Sequence, residues 1–109
     1  MKVSIGNYPK HPEKKARTIK VQIDRWDWYN VDHTLALIIS PMLKQFKESN
    51  ASYPGCLTSD QWNEILDKII WSMDQIVEDD IHLSSGKEYI DKVQEGCELL
   101  GKWFQNLWS

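Results

Sequence analysis

The sequence predicts an α+β fold in which an N-terminal antiparallel β-hairpin packs on a bundle of three helices. Two patterns carry this prediction. Apolar and polar residues alternate in parts of residues 1–25, and apolar residues recur at helical spacing over residues 31–47, 59–79 and 85–107. A chain of 109 residues with 41% hydrophobic side chains can bury one modest core. We therefore expect a single domain over residues 1–109.

The alternation marks two strands. Val3 and Ile5 alternate with polar neighbours, and Ile19, Val21 and Ile23 do so further along the chain. Glycine, asparagine and proline residues between them predict a loop, so the strands should form a hairpin. Because two strands alone are marginally stable and leave both edges open, a second subunit is expected to complete the sheet.

The first predicted helix follows Asn30, whose side chain can cap it. One face is apolar and is predicted to pack on the core, whereas His33 and Ser40 fall on the opposite face. Pro41 removes one backbone hydrogen bond and should kink the helix near Leu37. The residues of the apolar face are Val31, Leu35, Ile38, Ile39, Met42 and Phe46.

The second predicted helix opens with a capping-box spacing, Thr58 to Gln61. Trp71 falls outside its apolar stripe, among acidic residues. Three explanations are open: another element of the subunit covers Trp71, it lies in an oligomer interface, or it contacts a ligand. The stripe itself comprises Trp62, Ile65, Leu66, Ile69, Ile70, Met73, Ile76 and Val77.

The third predicted helix has the same capping spacing, Ser85 to Glu88. Its apolar arc is widened by Trp103, which implies contacts on two sides and makes Trp103 a second candidate interface residue. Gly96 and Gly101 flank this arc and should let another backbone approach closely.

Residues 25–33 combine three aromatic rings with four ionisable groups just before the most apolar helix. Such a mixture can stack on a planar ligand or fill a partner's pocket. For a phosphate-bearing ligand, Arg25 would donate charge-assisted hydrogen bonds and His33 would add a contact from the first helical turn. The candidate ligand-binding residues are Arg25, Trp26, Trp28, Tyr29, Asp32 and His33.

The same segment offers carboxylates and an imidazole that could in principle hold Mg²⁺ or Mn²⁺. The order Asp32-His33 is not the His-Asp pair of metal phosphohydrolases, and no second histidine-acid pair occurs in the chain. Asp24 and Asp27 have a structural alternative, since either could pair with Arg25 or Arg17. We therefore predict no enzyme activity, no metal and no cofactor.

Charge is unevenly distributed. Residues 1–25 hold seven Lys and Arg residues against Glu13 and Asp24, which gives them a formal charge of +5. Because the net charge of the chain is −3, residues 26–109 carry −8. The acidic bulk disfavours a nucleic-acid polymer as partner but allows a small anion. Alternatively, the lysines oppose an acidic surface on a neighbouring subunit.

Cys56 and Cys97 lie far apart, without the spacing of a metal site or a redox motif, so we expect reduced thiols. No run approaches the ~20 apolar residues of a membrane span. The first residues also lack an apolar run long enough for a signal peptide. We expect a soluble intracellular protein that does not bind membranes.

The run from Lys20 to Lys47 contains Ile-Asp-Arg-Trp-Asp-Trp, then Asp-His-Thr-Leu-Ala and Pro-Met-Leu-Lys-Gln. With residues 1–9 and 101–108, it resembles a family of small uncharacterised proteins of tailed bacteriophages. Members of that family are often longer around residues 49–55 and tend to have Ser-Met at positions 30 and 31. The resemblance implies a phage gene product in the host bacterial cytoplasm and no assigned activity.

Three non-enzymatic roles follow from these observations. The chain could be an oligomer that sequesters a small nucleotide-like immune signal of the host, the reading that the arginines and aromatics of residues 17–33 favour. It could instead inhibit a host defence protein directly through its exposed tryptophans. A structural phage oligomer without a ligand is the third alternative.

Overall fold

The computed structural model describes residues 1–6, 18–49, 52–78 and 86–108. The described part is an α+β structure with an N-terminal antiparallel hairpin and four α-helices, which confirms the predicted fold class. The elements, in chain order, are β1 (Lys2–Ile5), β2 (Ile19–Gln22), α1 (Arg25–Tyr29), α2 (Val31–Ser49), α3 (Ser59–Glu78), α4 (Lys87–Trp103) and a 3₁₀ turn (Phe104–Asn106).

The chain divides into two compact units, Met1–Val31 and Asp32–Ser109. In the first unit, β1 and β2 pair with Val3 opposite Val21 and Ile5 opposite Ile19. The predicted period-2 pattern therefore gathers the apolar residues on one face of the hairpin. All four remain exposed.

The first unit also contains α1, which the sequence pattern did not predict. Residues 25–29 are helical, so Trp26 and Trp28 do not follow the strand alternation that a longer β2 would impose. Asn30, expected to cap the next helix, is the C-terminal cap of α1. The aromatic residues of this short segment favour a strand by propensity, and local capping overrides that preference.

In the second unit, α2, α3 and α4 contribute to one hydrophobic core. The predicted stripe of α3 is confirmed, because Trp62, Leu66, Ile69, Ile70 and Met73 are buried. The N-terminus of α3 has the predicted capping box. The Thr58 backbone N–H donates to Gln61 Oε1 at 2.9 Å, and the Gln61 N–H donates to Thr58 Oγ1 at 3.2 Å.

The predicted core face of α2 is confirmed only in part, since Ile39 and Phe46 pack against the core. The buried residues of this helix are Ala36, Ser40 and Leu43, whereas Leu35 and Met42 are exposed. Ala36 and Leu43 belong to one buried cluster with residues of α3. A helix that is apolar over most of its circumference gives hydrophobic periodicity no means to choose that face.

At α4, Gly96 is buried and meets Ser72 of α3, as its predicted packing role requires. The same prediction is wrong for Gly101 within the described structure, where no atom beyond its own stretch of helix lies within 4 Å of an added Cβ. The helix begins at Lys87 after Gly86, which acts as N-cap without a side-chain bond. The predicted cap Ser85 lies outside the described residues.

Candidate functional site

The N-terminus of α1 is fixed by the two carboxylates that precede and open it. Asp24 is extended and acts as N-cap. Its backbone N–H donates to Asp27 Oδ2 at 2.7 Å, and the Asp27 N–H donates to the Asp24 carbonyl at 3.0 Å. This reciprocal capping holds a five-residue helix that would not form by propensity alone.

The same carboxylates receive the terminal amine. Met1 N lies 3.1 Å from Asp24 Oδ2 and 3.0 Å from Asp27 Oδ2. Hydrogen bonds to Asp27, and then to Asp24, raise the pKa of the Met1 amine. The hydrogen bond from the Asp24 backbone, and then that from the amine, lower the pKa of Asp27. Both acids therefore pair with the amine within the first unit. Arg17, one of the two arginine partners that the sequence suggested, lies outside the described residues.

We use the name aromatic surface for Arg25, Trp26, Trp28 and Tyr29, four of the six predicted ligand-binding residues. Tyr29 is its centre. The ring centroids of Trp26 and Trp28 each lie 5.7 Å from that of Tyr29, the first tilted and the second stacked. The Arg25 guanidinium lies 5.8 Å from the Tyr29 centroid, within cation–π range.

The aromatic surface is open to solvent. Trp26 is 74% exposed, Trp28 59% and Tyr29 58%. Exposed apolar area of this kind is unfavourable in water unless something covers it, and it marks interaction sites on soluble proteins. The rings therefore face solvent and contribute little to a hydrophobic core.

The other two predicted ligand-binding residues belong to the second unit. Asp32 is exposed in the first turn of α2. His33 is half-buried, and its Nδ1 lies 3.4 Å from the Ile76 carbonyl of α3, so Nδ1–H donates to that oxygen. His33 thus has a structural contact within its own unit.

The predicted interface residue Trp71 is covered in part by α4. Its ring meets Tyr89 edge-on, with 5.7 Å between centroids, and Lys92 Nζ lies 4.2 Å from its centroid. The Tyr89 hydroxyl in turn donates to Gln75 Oε1 at 2.8 Å. Of the three explanations for this tryptophan, cover within the subunit is the one these contacts match.

The second predicted interface residue, Trp103, packs edge-on against Trp62 with 5.9 Å between centroids. Lys102 Nζ lies 5.3 Å from the Trp103 centroid. Both indole N–H groups are buried, and neither has an acceptor among the described residues. This pair joins α3 to the end of α4, so Trp103 also has a role inside its unit.

Sequence reasoning missed a polar cluster between α2 and α3. Ser40, only 3% exposed, donates to Asp74, and Lys44 Nζ lies 3.2 Å from the same carboxylate. Lys47 pairs with Asp67 further along the two helices. These residues form one polar line along α2, on the side that hydrophobic periodicity predicts to lie opposite the core.

The described residues contain no group of three or more His, Cys, Asp and Glu side chains that could hold a metal ion. Cys56 is exposed and Cys97 is half-buried, and both are free thiols. Burial, and then the charge of Asp32, raise the pKa of the Cys97 thiol, which disfavours the nucleophilic thiolate.

In the part of the chain that the structure describes, every helix is too short or too polar to cross a membrane. Comparisons of the chain with protein-family models, with curated proteins and with solved structures find no match in any of the three.

Proposed function

We propose that this chain is a non-enzymatic binding protein whose aromatic surface docks on a partner protein. The observation that carries the proposal is the exposure of three large rings, beside one guanidinium, on a single short helix. Trp, Tyr and Arg are the residues that most often dominate the binding energy of protein interfaces. Rings that contact one another can present such anchors with little loss of side-chain freedom on binding.

The open shape of the surface supports a protein partner over an enclosed ligand. Small-molecule pockets bury about 70–90% of the ligand surface, whereas each of these rings is more than half exposed. The proposed setting is an infected bacterial cytoplasm, where a phage protein would inhibit a host defence protein. The resemblance of residues 20–47 to tailed-phage proteins supports that setting.

A second candidate function is oligomeric sequestration of a planar anionic ligand such as a nucleotide-like immune signal. Two features of the first unit favour it. The Arg25 guanidinium lies beside stacked rings, and Lys2 and Lys20 lie on the polar face of the hairpin. A guanidinium with aromatic faces can bind phosphate and base together.

One experiment separates the two functions. Tagged protein is produced in bacterial cells and purified in three forms: wild type, a Trp26→Ala/Trp28→Ala double variant, and Tyr53→Ala. Tyr53 is a matched control, because it is an exposed aromatic residue outside the aromatic surface. Co-purifying proteins are identified by mass spectrometry, and the heat-released filtrate is tested for ultraviolet-absorbing small molecules.

A host protein retained by wild type and Tyr53→Ala, but lost by the double variant, supports docking on a protein. A small molecule with the same pattern of retention supports sequestration instead. If neither a protein nor a small molecule depends on the two tryptophans, the aromatic surface is not a binding site and both functions are wrong.

A further inference from the structure

The two units of the chain have opposite formal charges. The first unit, Met1–Val31, contains seven Lys and Arg residues and three Asp and Glu residues, which gives a charge of +4. The second unit, Asp32–Ser109, contains six and thirteen, which gives −7. Salt screens exposed charges over about 8 Å at physiological ionic strength, so a docked partner interacts mainly with the charges that lie next to it. The charges on the first unit therefore decide which partner suits the aromatic surface.

The polar face of the hairpin contains two lysines. Lys2 lies opposite Gln22 and Lys20 opposite Ser4, so the two lysines share one face as diagonal neighbours, about 7–8 Å apart. Both are exposed, and neither has an ion-pair partner among the described residues. Strands β1 and β2 contain no Asp or Glu. Because like charges at this distance repel each other, an anionic group beside them is favourable.

The described carboxylates of the first unit do not neutralise Arg25. Asp24 and Asp27 both bond the Met1 amine, at 3.1 and 3.0 Å. The Arg25 guanidinium lies instead over the Tyr29 ring, and no described carboxylate pairs with it. A cation without a carboxylate partner therefore lies among the exposed rings.

We propose that the partner of the aromatic surface is a protein that presents an acidic patch with apolar side chains beside it. This inference rests on the proposed function and adds the chemistry of the partner. The rings cover the partner's apolar side chains, and Arg25 donates two parallel hydrogen bonds to a carboxylate, the geometry that a guanidinium favours. Lys2 and Lys20 attract the acidic patch during the encounter, which raises the rate of association.

An acidic protein suits these observations better than a nucleic-acid polymer does. The second unit, at −7, repels a long polyanion, whereas the acidic patch of a protein is confined to one area. Arginine beside tryptophan and tyrosine is also the composition that dominates binding in protein interfaces. Binding of a nucleic acid is therefore an outcome that the test must be able to detect.

The test uses a fluorescein-labelled peptide in which glutamate alternates with phenylalanine and leucine, and a second peptide with lysine at every glutamate position. Fluorescence anisotropy measures the binding of each peptide to the full chain. The acidic peptide should bind at least tenfold more tightly than the basic one, and an oligothymidylate of equal charge should compete poorly. Raising sodium chloride from ~0.1 M to ~1 M, which shortens the Debye length from about 10 Å to about 3 Å, should weaken binding of the acidic peptide.

Two pairs of charge reversals locate the preference. Lys2→Glu/Lys20→Glu should weaken binding of the acidic peptide at least tenfold. Lys87→Glu/Lys102→Glu is the matched control, because it reverses two exposed lysines of the second unit that also have no ion-pair partner among the described residues. Far-ultraviolet circular dichroism checks that each variant folds. Lys2→Gln/Lys20→Gln, with a smaller expected loss, replaces the reversed hairpin if that variant does not.

Equal binding of the two peptides, no binding of the acidic peptide, equal effects of the two lysine pairs, or tighter binding of the oligothymidylate would overturn the inference. Trp26→Ala/Trp28→Ala separates it from the proposed function. If this variant binds the acidic peptide as wild type does, while the hairpin variant does not, the proposed function fails and the first unit's preference for an acidic partner remains. If only the tryptophan variant loses binding, and loses it for both peptides alike, the aromatic surface docks without regard to charge and this inference fails.

Discussion

Gly96 of α4 lies so close to Ser72 of α3 that a Cβ added to the glycine would stand 1.9 Å from Ser72 Oγ. The same Cβ would be 2.7 Å from the Lys68 backbone carbonyl, which cannot turn away as a side chain can. The two helices therefore meet here at a distance that only glycine permits.

We expect Gly96→Ala to lower the free energy of unfolding by about 1–3 kcal/mol, because overpacking outweighs the gain of ~1 kcal/mol that alanine brings to a helix. Urea denaturation followed by circular dichroism measures it. Gly101→Ala is the control on the same helix. Among the described residues beyond its own stretch of helix, no atom lies within 4 Å of its added Cβ, so the change should stabilise by up to ~1 kcal/mol. Equal effects at both sites would contradict the close approach.

The pairing of Asp27 with the terminal amine predicts how the first unit responds to pH. The pKa of Asp27 is lowered, so its stabilising contribution is present above its unfolded pKa and is lost as pH falls through the folded value. The pKa of the amine is raised, so its contribution is present below the ordinary value of 8.0 and is lost as pH rises through the folded value. Between these limits both groups stabilise the hairpin and α1.

Nuclear magnetic resonance can observe the titration of Asp27 directly, because the Asp24 amide donates to the Asp27 carboxylate. We expect the Asp24 amide shift to titrate with a midpoint below 3.8, the ordinary pKa of an aspartate. In Asp27→Asn that acid transition should disappear. A midpoint at or above 3.8 would contradict the pairing.

The contacts of the two tryptophans on α3 predict different losses of stability. Trp62 is buried, so Trp62→Ala should cost about 3–5 kcal/mol. Trp71→Ala removes one edge-on aromatic contact and one cation–π contact. We expect it to lower the free energy of unfolding by about 1–2.5 kcal/mol. Thermal unfolding gives the comparison. If Trp71→Ala instead abolishes self-association while stability is unchanged, Trp71 is an interface residue after all.

Arg25→Ala should leave the fold intact, because Asp24 and Asp27 pair with the terminal amine and the α1 backbone, whereas Arg25 lies over Tyr29. A change within about 0.5 kcal/mol is expected for such a surface site. Circular dichroism and thermal unfolding provide the measurement. An unfolded variant would make the arginine structural and would remove it from the proposed binding surface.

Local signals predicted the parts of the fold that local interactions decide. The hairpin follows from alternation, and the start of α3 follows from Thr58 and Gln61, whose side chains cap each other's backbone. The short helix α1 was missed because its cap uses Asp24, Asp27 and the distant residue Met1. A contact across 23 residues leaves no periodic trace in the sequence.

The buried face of α2 could not be predicted for a different reason. Ala36 and Ser40 contribute little to a hydrophobic pattern, yet both are buried. For the candidate site, residue types alone identified the aromatic surface as a binding feature. The hydrogen bond from His33 to the Ile76 carbonyl depends on how α2 packs on α3. The spacing of residues 25–33 holds no information about that packing.

Pro41 lies inside α2, which continues to Ser49. Because proline has no backbone N–H, the Leu37 carbonyl cannot receive its usual helical hydrogen bond from position 41. Pro41→Ala should supply that donor. Proline costs about 3 kcal/mol in a helix interior, and its rigidity in the unfolded chain returns at most ~1 kcal/mol. We therefore expect the variant to be more stable by about 2 kcal/mol, measured by urea denaturation.

Pro54→Ala is the matched control. Pro54 is buried in a loop, and its carbonyl accepts the Leu57 N–H at 3.0 Å, so no helical hydrogen bond is missing there. The loop loses proline's rigidity without gaining a donor for a helix, and stability should fall by about 0.4–1 kcal/mol. Opposite signs at the two prolines would show that the penalty at Pro41 comes from the interrupted backbone of α2. A loss of stability in Pro41→Ala would mean instead that packing around the ring outweighs the missing hydrogen bond.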